Sequence, residues 1–456
     1  MNPEFQRNLW LEASPRRIAW AGVVLLLIYG AAITLTRSNP YGALPALGGV
    51  GAVVFVVCAM IWGARASGNS ILTEIADRTW DFQRLSALKP WAMTWGKLFG
   101  GASLAWLCGL TGLLMMVIAG LSGGVTGLAT TAVFMLALAV LLQAISLGAA
   151  LIGVRKARAE GRTARASGVL GGLIIGAILL SWVAGSAGFQ RGMGTEGFGA
   201  LFTANGLVDW GGRLWSAAAF RAVALTLFAA WAVVGAWRLM RLELQMQNAP
   251  VIWPAFLIFL AIFAGGFVLR TQGFAASLAV GSLVVALSAY AAAFAEPADR
   301  VRIRQFAHFA ANGDLARAAP LTPAPLAPLL IATLLVLGAF AAPTGSLMTP
   351  ELGQAGALIA FLLRDLGVIA LCRMGERPQR GDFSAVVALG LLYGVGGSIG
   401  WAVGQETGGA LFAPLANAPL ISLASGLAQA AVVWVLAAKR IGINAPPSAP
   451  ASVPAT

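Results

Sequence analysis

Residues 18–35 of this chain read IAWAGVVLLLIYGAAITL and contain no charged side chain. An α-helix needs roughly 20 apolar residues to cross the hydrocarbon core of a bilayer, so this stretch is long enough to span a membrane. It lacks the small-residue cleavage site of a signal peptide. We therefore predict that it is a retained first transmembrane helix.

Apolar runs of this kind recur along the whole chain. Of the 456 residues, 59% are hydrophobic and only 10% are charged, whereas soluble domains carry roughly a quarter charged residues. The further runs lie at 44–63, 98–119, 126–153, 167–187, 216–237, 250–269, 274–295, 324–341, 352–372, 383–403 and 413–438. The sequence thus predicts an all-α, polytopic integral membrane protein with about 12 transmembrane helices.

The positions of Lys and Arg orient these helices. Basic residues concentrate in the cytoplasmic loops of membrane proteins. If the N-terminus is cytoplasmic, all but six of the 30 basic residues fall in predicted inside segments. The exceptions are Arg37, Arg191, Arg213 and Arg270 in outside loops, and Arg221 and Arg364 within spans. We therefore expect both termini inside a bacterial inner (plasma) membrane, and we attribute the net charge of +13 to topology rather than to a nucleic-acid partner.

The two halves of the chain have long, charged loops at corresponding places. When the second half is aligned with the first without gaps, Asp77 and Arg78 align with Asp299 and Arg300, and the intramembrane Gln143 aligns with Asp365. This predicts a tandem repeat of two six-helix halves, 1–248 and 249–440, an arrangement common in transporters. The alternative is the pseudo-symmetry that any protein with an even number of spans and alternating charge can show. The Pro-rich and Ala-rich residues 441–456 are predicted to be a disordered tail.

The loop after the second span has the pattern of a short amphipathic helix over residues 69–88. Apolar side chains recur on one face and charged side chains on the other. The apolar face consists of Ile71, Ile75, Phe82 and Leu85, and the charged face of Glu74, Asp77, Arg78, Asp81 and Arg84. The spacing predicts the ion pairs Glu74–Arg78 and Asp81–Arg84. Such a helix presents a mixed-charge face to the cytosol, or simply anchors the loop at the membrane interface.

This loop resembles the cytoplasmic loop of type-2 ATP-binding-cassette exporter permeases. The resemblance rests on Glu74, Thr79, Asp81, Pro90 and the pair Gly96-Lys97. Residues 2–7 (NPEFQR) are similar to the amphipathic helix that precedes the first span in that family. The Gly-rich outer loop between spans 5 and 6, with Phe189, Phe198, Phe202 and Trp210, lies where the family has re-entrant helices.

The resemblance implies a permease that docks a separate cytoplasmic ATPase through this loop. The ATPase is expected to be a dimer. The docking residues it implies are Glu74, Asp77, Arg78, Thr79, Asp81 and Arg84, with Asp299 and Arg300 in a second, less complete docking helix. The match covers residues 1–248 and is topological beyond them. This chain departs from the family in having Arg78 where glycine is usual, and twelve predicted spans where six are usual.

No catalytic centre is predicted within this chain. The phosphate-loop pattern G-x-x-x-x-G-K-[ST] is absent, since Gly96-Lys97 is followed by Leu98 and lacks the first glycine. ATP and Mg²⁺ would therefore be held by the partner ATPase, and this chain would not be an enzyme. With one histidine, His308, and three scattered cysteines, no metal site and no cofactor in this chain are predicted.

Three polar residues fall within predicted spans and are candidates for function. They are Gln143, Arg364 and Asp365. Adjacent side chains diverge by about 100° on a helix, so Arg364 and Asp365 need not pair with each other. These groups would either line a substrate path or gate, or clamp the two halves together.

Two other function classes remain open at this level. A secondary transporter of the major-facilitator type also has six plus six spans with both termini inside. The long loop between spans 2 and 3, the short central connection and the lack of a ladder of intramembrane carboxylates argue against it. The third class is a non-transporting membrane scaffold, which would show no lateral or axial cavity.

Overall fold

The computed structural model describes residues 2–36, 43–86, 88–159, 161, 206–246, 248, 251–342, 350–375, 380–415 and 417–442. The predicted fifth span, the residues Phe189, Phe198 and Phe202 of the outer loop, and nearly all of the predicted tail lie outside these ranges. The chain divides into two compact units with the main boundary between Asn248 and Ala249, except that Trp210–Gly212 belong to the second unit.

The described part of the first unit contains eight helices, and two of them continue through π-helical turns. They are α1 (Pro3–Glu12), α2 (Pro15–Leu35), α3 (Leu44–Ala76, π-helical at Val56–Trp62), α4 (Trp80–Arg84), α5 (Pro90–Trp95, continued by π-helical Gly96–Gly100), α6 (Ser103–Ser122), α7 (Leu128–Ala159) and α8 (Ala217–Glu243). A two-stranded hairpin, β1 (Leu207–Trp210) and β2 (Arg213–Ser216), precedes α8.

The described part of the second unit also contains eight helices. They are α9 (Ile252–Gly265), α10 (Leu269–Ala295), α11 (Arg300–Ala311), α12 (Leu315–Ala318, continued as a 3₁₀ turn at Ala319–Leu321), α13 (Leu326–Ala341), α14 (Pro350–Arg373), α15 (Gly381–Gly409, π-helical at Leu391–Gly396) and α16 (Pro419–Ile441). The chain bends by 106° between Leu315–Leu321 and α13.

The prediction of an all-α protein with many membrane-length helices is confirmed for the described residues, apart from the small hairpin. Nine helices in these ranges are long and apolar enough to cross a membrane, and there are ten if α12 and α13, joined by the 106° bend, together form one broken span rather than a re-entrant loop. The helix α9, at the seventh predicted span, is apolar but has only 14 residues. The count of twelve spans stays a prediction, because the fifth lies outside the described residues.

The helices of the first unit pack in a few extensive pairs. α3 packs on α6 and on α7, and α7 packs along α8. α3 and α6 approach most closely where Gly51 faces Gly112, because a Cβ on Gly51 would lie 2.5 Å from the Gly112 carbonyl oxygen. Small residues at such crossings let backbones meet without a hydrophobic driving force in lipid. By contrast α2 contributes a single buried residue, Ala32, and lies at the edge of its unit.

The second unit is built from corresponding pairs. α10 packs on α13, α9 and α14, and α14 packs along α16. The buried side chains at these contacts include Leu257, Val285, Leu362 and Ile369. As with α2, little of α15 is buried.

Three described residues other than glycine have a positive φ; one is Gln245 (φ 59°), which follows α8, and the other two mark breaks at helices of the candidate sites. Arg78 (φ 58°) follows the end of α3, and Gln405 (φ 48°, ψ −122°) interrupts α15. A side chain in these regions costs of order 1–3 kcal/mol of backbone strain, so surrounding contacts must hold each residue in place. Both breaks adjoin the sites described next.

Candidate functional site

The loop predicted as one amphipathic helix over 69–88 is two helices with a sharp turn between them. α3 runs on through this region to Ala76, and α4 begins only at Trp80. The prediction of a single helix is therefore wrong. Since α3 has 33 residues, it is about 50 Å long, and part of it extends past a hydrocarbon core of about 30 Å.

The turn at Arg78 is a Schellman motif. The Thr79 amide donates to the Glu74 carbonyl at 2.9 Å, and the Arg78 amide donates to the Ile75 carbonyl at 3.2 Å. These bonds satisfy carbonyls at the helix end, and the motif places the intervening residue in the left-handed conformation that glycine adopts most easily. Arg78 occupies this position, so its backbone is strained where a glycine would not be.

The turn and α4 expose a compact set of charged and apolar side chains, which we name the tip surface. It consists of Asp77, Arg78, Thr79, Asp81, Phe82 and Leu85. The predicted apolar face is therefore split: Ile71 is buried in the core, whereas Phe82 and Leu85 are 79% and 87% exposed. The predicted pair Asp81–Arg84 is present at 3.5 Å.

Glu74, predicted to face the cytosol, instead lies in a partly buried charge network with Glu4, Arg7 and Lys97. Its carboxylate pairs with both Arg7 and Lys97 rather than with Arg78. Lys97 is completely buried and also pairs with Glu4 at 3.2 Å. Two carboxylates thus share one buried ammonium and one guanidinium, which offsets the cost of removing these charges from water.

The network attaches the N-terminal helix α1 to the first unit. Asn2 caps α1 by accepting from the Glu4 amide at 3.1 Å, and its own amide donates to the Ala92 carbonyl at 2.7 Å. The Asn8 amide donates to Glu4 at 3.0 Å and to the Gly96 carbonyl at 3.3 Å. α1 is therefore held by specific polar contacts, beyond the general affinity of an amphipathic helix for a membrane surface.

The charges of the network shift the pKa values of its members. Burial raises the pKa of Glu4, but Lys97 and Arg7 outweigh it, so the net pKa lies below its ordinary value. Burial lowers the pKa of Arg7, but the hydrogen bond to Glu74 and the charge of Glu4 outweigh it and raise the pKa overall. Both shifts favour the charged forms that pair with each other.

Trp80 connects the tip to helices far away in the sequence. Its indole is 2% exposed and lies against Lys97, whose Nζ is 5.1 Å from the ring centroid. The indole N–H donates to the Glu243 carboxylate at 3.2 Å, and Arg158 pairs with the same carboxylate at 2.7 Å. The first residue of α4 is thereby joined to the ends of α8 and α7.

The second predicted docking segment has a different local structure. Asp299 caps the 12-residue helix α11 by accepting from the amides of Val301 and Arg302 at 2.9 and 3.1 Å. Arg300 donates to the carbonyls of Met374 and Gly375 at the end of α14. No residue of α11 is buried. Asp299 and Arg300 therefore position this helix, and its outer face is formed by other residues.

Gln143 is fully buried and links the helices of the first unit. It donates to the Ala59 carbonyl at 2.8 Å and accepts from the indole of Trp106 at 2.9 Å. It thus joins α7 to α3 and α6 by neutral hydrogen bonds.

Arg364 and Asp365 do pair with each other, since Nε and Nη2 of Arg364 lie 2.8 and 2.7 Å from Oδ1 of Asp365. The other oxygen of Asp365 accepts from the hydroxyls of Tyr290 and Tyr393 at 2.6 and 2.7 Å. Arg364 also donates to Gln429 at 3.0 Å. The described partners belong to α10, α15 and α16, so this cluster clamps helices within the second unit.

The same region holds a stretch of non-helical backbone, residues 411–415. Arg364 reaches the Phe412 carbonyl at 3.5 Å, and Gln429 and Ser425 donate to the Leu411 carbonyl at 2.6 and 2.7 Å. Ser422 donates to the Ala413 carbonyl at 3.0 Å. Side chains of α14 and α16 thus satisfy carbonyls that have no helical partner.

Several partners at these sites were not predicted from the sequence. They are Glu4, Arg7, Lys97, Trp80, Glu243, Tyr290, Tyr393 and Gln429. The sequence did indicate that such partners exist, because the chain has only 17 acidic residues and a carboxylate near an apolar run requires a partner. The spacing of residues along the sequence could not predict which cation pairs with each carboxylate.

No family model, curated protein or solved structure matches this chain. Within the described residues, no group of three or more His, Cys, Asp or Glu side chains is placed to hold a metal ion.

Proposed function

We propose that this chain is the membrane subunit of an ATP-binding-cassette exporter, which docks a separate ATPase through the tip surface and moves a substrate across the bacterial inner membrane. The observation that carries the proposal is the connection of Trp80 to both Lys97 and Glu243. A partner that displaces α4 would act directly on α1, α3, α7 and α8, because buried charged contacts join them.

The composition of the tip surface supports protein docking. Phe82 and Leu85 are largely exposed on and just after α4, beyond the end of the long helix α3, and Asp77, Arg78 and Asp81 lie on the same exposed segment. Interfaces combine an apolar centre with a polar rim in this way. The partner implied is a cytoplasmic ATPase with an apolar cleft and charges of both signs at its edge.

The packing within each of the two units supports a tandem arrangement of two similar halves, and the distribution of Lys and Arg is the argument for both termini inside. In each unit the second membrane helix packs on the third and fourth, and the fourth packs along the sixth. Those helices are α3, α6, α7 and α8 in the first unit, and α10, α13, α14 and α16 in the second. At matching positions, Gln143 bonds back to α3 and Asp365 bonds back to α10.

A second docking element in the second half is part of the proposal. α11 follows α10 as the tip follows α3, and none of its residues is buried. The exposed Val301, Arg304 and His308 form its outer face. We expect a weaker contribution from α11, because it lacks counterparts of Trp80 and of the buried charge network among the contacts described for it.

The proposal is tested by affinity purification of the full chain from its native membrane, followed by mass spectrometry and an ATP hydrolysis assay. We expect a Walker-type ATPase to co-purify with the wild type. The double variant Phe82→Ala/Leu85→Ala should recover at least tenfold less of it, because both exposed apolar contacts are removed.

The matched control is Phe274→Ala, which removes another exposed aromatic ring, 62% exposed, from α10. It should retain the ATPase. Recovery of no nucleotide-binding chain with the wild type, or equal recovery with the double variant, contradicts the proposal. Ion-gradient-driven transport by the purified chain without an ATPase would favour the secondary transporter instead.

A further inference from the structure

An apolar groove lies in the second unit beside the break in α15. Its volume is about 510 Å³, within the range of roughly 300–1,000 Å³ that is typical of ligand sites. Its walls are formed by Ile399, Val403, Leu411, Phe412 and Ile421, with three glycines and Thr407 between them. Val403 is 85% exposed, so the groove is open at the side of the unit.

The groove lies along the length of two membrane-length helices, α14 and α16, rather than at their ends. Ser425, whose hydroxyl donates to the Leu411 carbonyl, is about 9 Å along α16 from its first residue, Pro419. Arg364, in the interior of α14, reaches the Phe412 carbonyl. The chain therefore turns back at Gln405, descends to Leu411 and Phe412, and returns to the start of α16. Non-helical backbone at this depth is tolerated only where it is buried or lines a cavity.

We propose that this groove binds one hydrocarbon chain of a membrane amphiphile whose headgroup carries a primary ammonium group. An apolar groove open toward hydrocarbon is filled by hydrocarbon, because water gains no hydrogen bonds from apolar walls. The occupant is therefore a lipid-like chain that enters from the bilayer.

The polar end of the groove determines the headgroup. Gln405, Glu406 and Thr407 are exposed at the break in α15, and Asn417 donates to the Glu406 carboxylate at 2.8 Å. The basic residues Lys439 and Arg440 lie at the opposite end of α16. In the described residues of α15, α16 and their connection, the end near the groove thus carries one carboxylate and no cation. Arg364 of α14 reaches the Phe412 carbonyl beside the groove, but its charge is neutralised by Asp365. An ammonium complements this charge, and an anionic headgroup is repelled.

The experiment uses the purified full chain in phosphatidylcholine vesicles that contain a small fraction of phosphatidylethanolamine or phosphatidylglycerol with a photoactivatable diazirine in one chain. After irradiation, cross-linked peptides are mapped by mass spectrometry. We expect cross-links within residues 399–421, stronger with phosphatidylethanolamine than with phosphatidylglycerol.

Gly404→Leu should reduce these cross-links at least fivefold, because a side chain there fills the groove; a Cβ on Gly404 meets only the Thr407 hydroxyl, at 3.3 Å. Gly404→Ala controls for the loss of glycine and should retain most of the signal. Gly390→Leu adds the same side chain elsewhere on α15, where a Cβ meets nothing within 4 Å, and should behave as wild type. Glu406→Gln should reduce the preference for phosphatidylethanolamine at least threefold.

If Gly404→Leu is cross-linked as strongly as the wild type, the proposed site for the hydrocarbon chain is wrong. It is also wrong if the wild type shows no cross-links in the groove. Equal signals from the two lipids in the wild type overturn the ammonium headgroup. No ATPase is present in the assay, so these results are distinguishable from a failure of the proposed exporter function.

Discussion

The indole N–H of Trp80 donates a hydrogen bond of 3.2 Å to the carboxylate of Glu243, a residue 163 positions later in the chain. Both side chains are almost completely buried. This bond joins the exposed turn at the end of α3 to the end of α8. Buried hydrogen bonds to charged groups contribute more than neutral ones, so the contact gives the tip a defined position.

Trp80→Phe should therefore destabilise the first unit and weaken the proposed coupling. The variant keeps an aromatic ring near Lys97 but leaves the Glu243 carboxylate with one donor fewer, at a cost of about 1–3 kcal/mol. Thermal unfolding of the purified chain in detergent measures the loss. Trp10→Phe, at a position that is 70% exposed, should leave the unfolding temperature unchanged. Equal effects of the two substitutions would show that the buried hydrogen bond contributes nothing.

Lys97→Met should release α1 from the first unit. The substitution leaves the carboxylates of Glu4 and Glu74 without their shared ammonium, and breaking a buried ion pair costs about 3–5 kcal/mol. Limited proteolysis between α1 and α2 should become faster. Lys89→Met removes the same charge from an exposed position and is the matched control. Unchanged cleavage in Lys97→Met would mean that α1 is held by other contacts.

The attachment of α1 should also weaken in acid. Because the folded pKa of Glu4 lies below its ordinary value of 4.5, its stabilising contribution is fully present above that value. The contribution is lost as the pH falls through the folded pKa. The rate of proteolysis between α1 and α2, measured from pH 7 downward, should increase only below about pH 4.5. In Glu4→Gln, the part of this pH dependence that is due to Glu4 should be absent. A transition centred between pH 6 and 8 would contradict this assignment.

Arg78→Gly should stabilise the chain by about 1 kcal/mol, since glycine adopts the left-handed conformation of this turn without strain. Thermal unfolding again measures the change. Arg78→Ala should give no such gain, because alanine meets the same backbone strain. Arg84→Gly, the same substitution at the last residue of α4, should instead destabilise, because Arg84 has ordinary helical geometry and the change removes its ion pair with Asp81. A loss of stability in Arg78→Gly would indicate that the arginine side chain makes a compensating contact.

Asp365→Asn should be among the most damaging single substitutions in the second unit. It leaves the buried Arg364 guanidinium without a counter-charge within the membrane, at about 3–5 kcal/mol. The double variant Arg364→Leu/Asp365→Leu should be less destabilised than Asp365→Asn, because no unpaired charge remains. Gln143→Leu, which removes a neutral group at the corresponding place, should cost about 1 kcal/mol. Recovery of folded protein after detergent extraction and heating ranks the three variants, and a more severe loss in the double variant would contradict the prediction.

Most of the membrane helices could be predicted from the sequence because hydrocarbon imposes a simple local rule. A run such as residues 18–35 must be helical to satisfy its backbone in lipid, whatever its neighbours are. Helix ends were less predictable. The run at 44–63 continues as α3 to Ala76, since a segment past the bilayer core stays helical when its apolar side chains pack against the rest of the unit, as Ile71 does.

The predicted site residues were found in the expected segments but with different partners. Asp81 and Arg84 pair as their spacing requires, because neighbours on one helix turn are fixed by helix geometry. Glu74 pairs with Arg7 and Lys97 instead of Arg78, because the backbone turns at Arg78 and directs that side chain elsewhere.

The sequence by itself thus determined the membrane class, the approximate places of most membrane helices and the places where charge is confined, since each follows from the local free energy of moving side chains between water and hydrocarbon. Only the tertiary structure decided which buried charges neutralise one another, as in Lys97 with Glu4 and Glu74, and which distant helices meet, as through Trp80 and Glu243. Those pairings require residues far apart in the chain to come within a few ångströms of each other. Coulombic and hydrogen-bond energies decrease steeply with distance, so the spacing of residues along one segment cannot predict them.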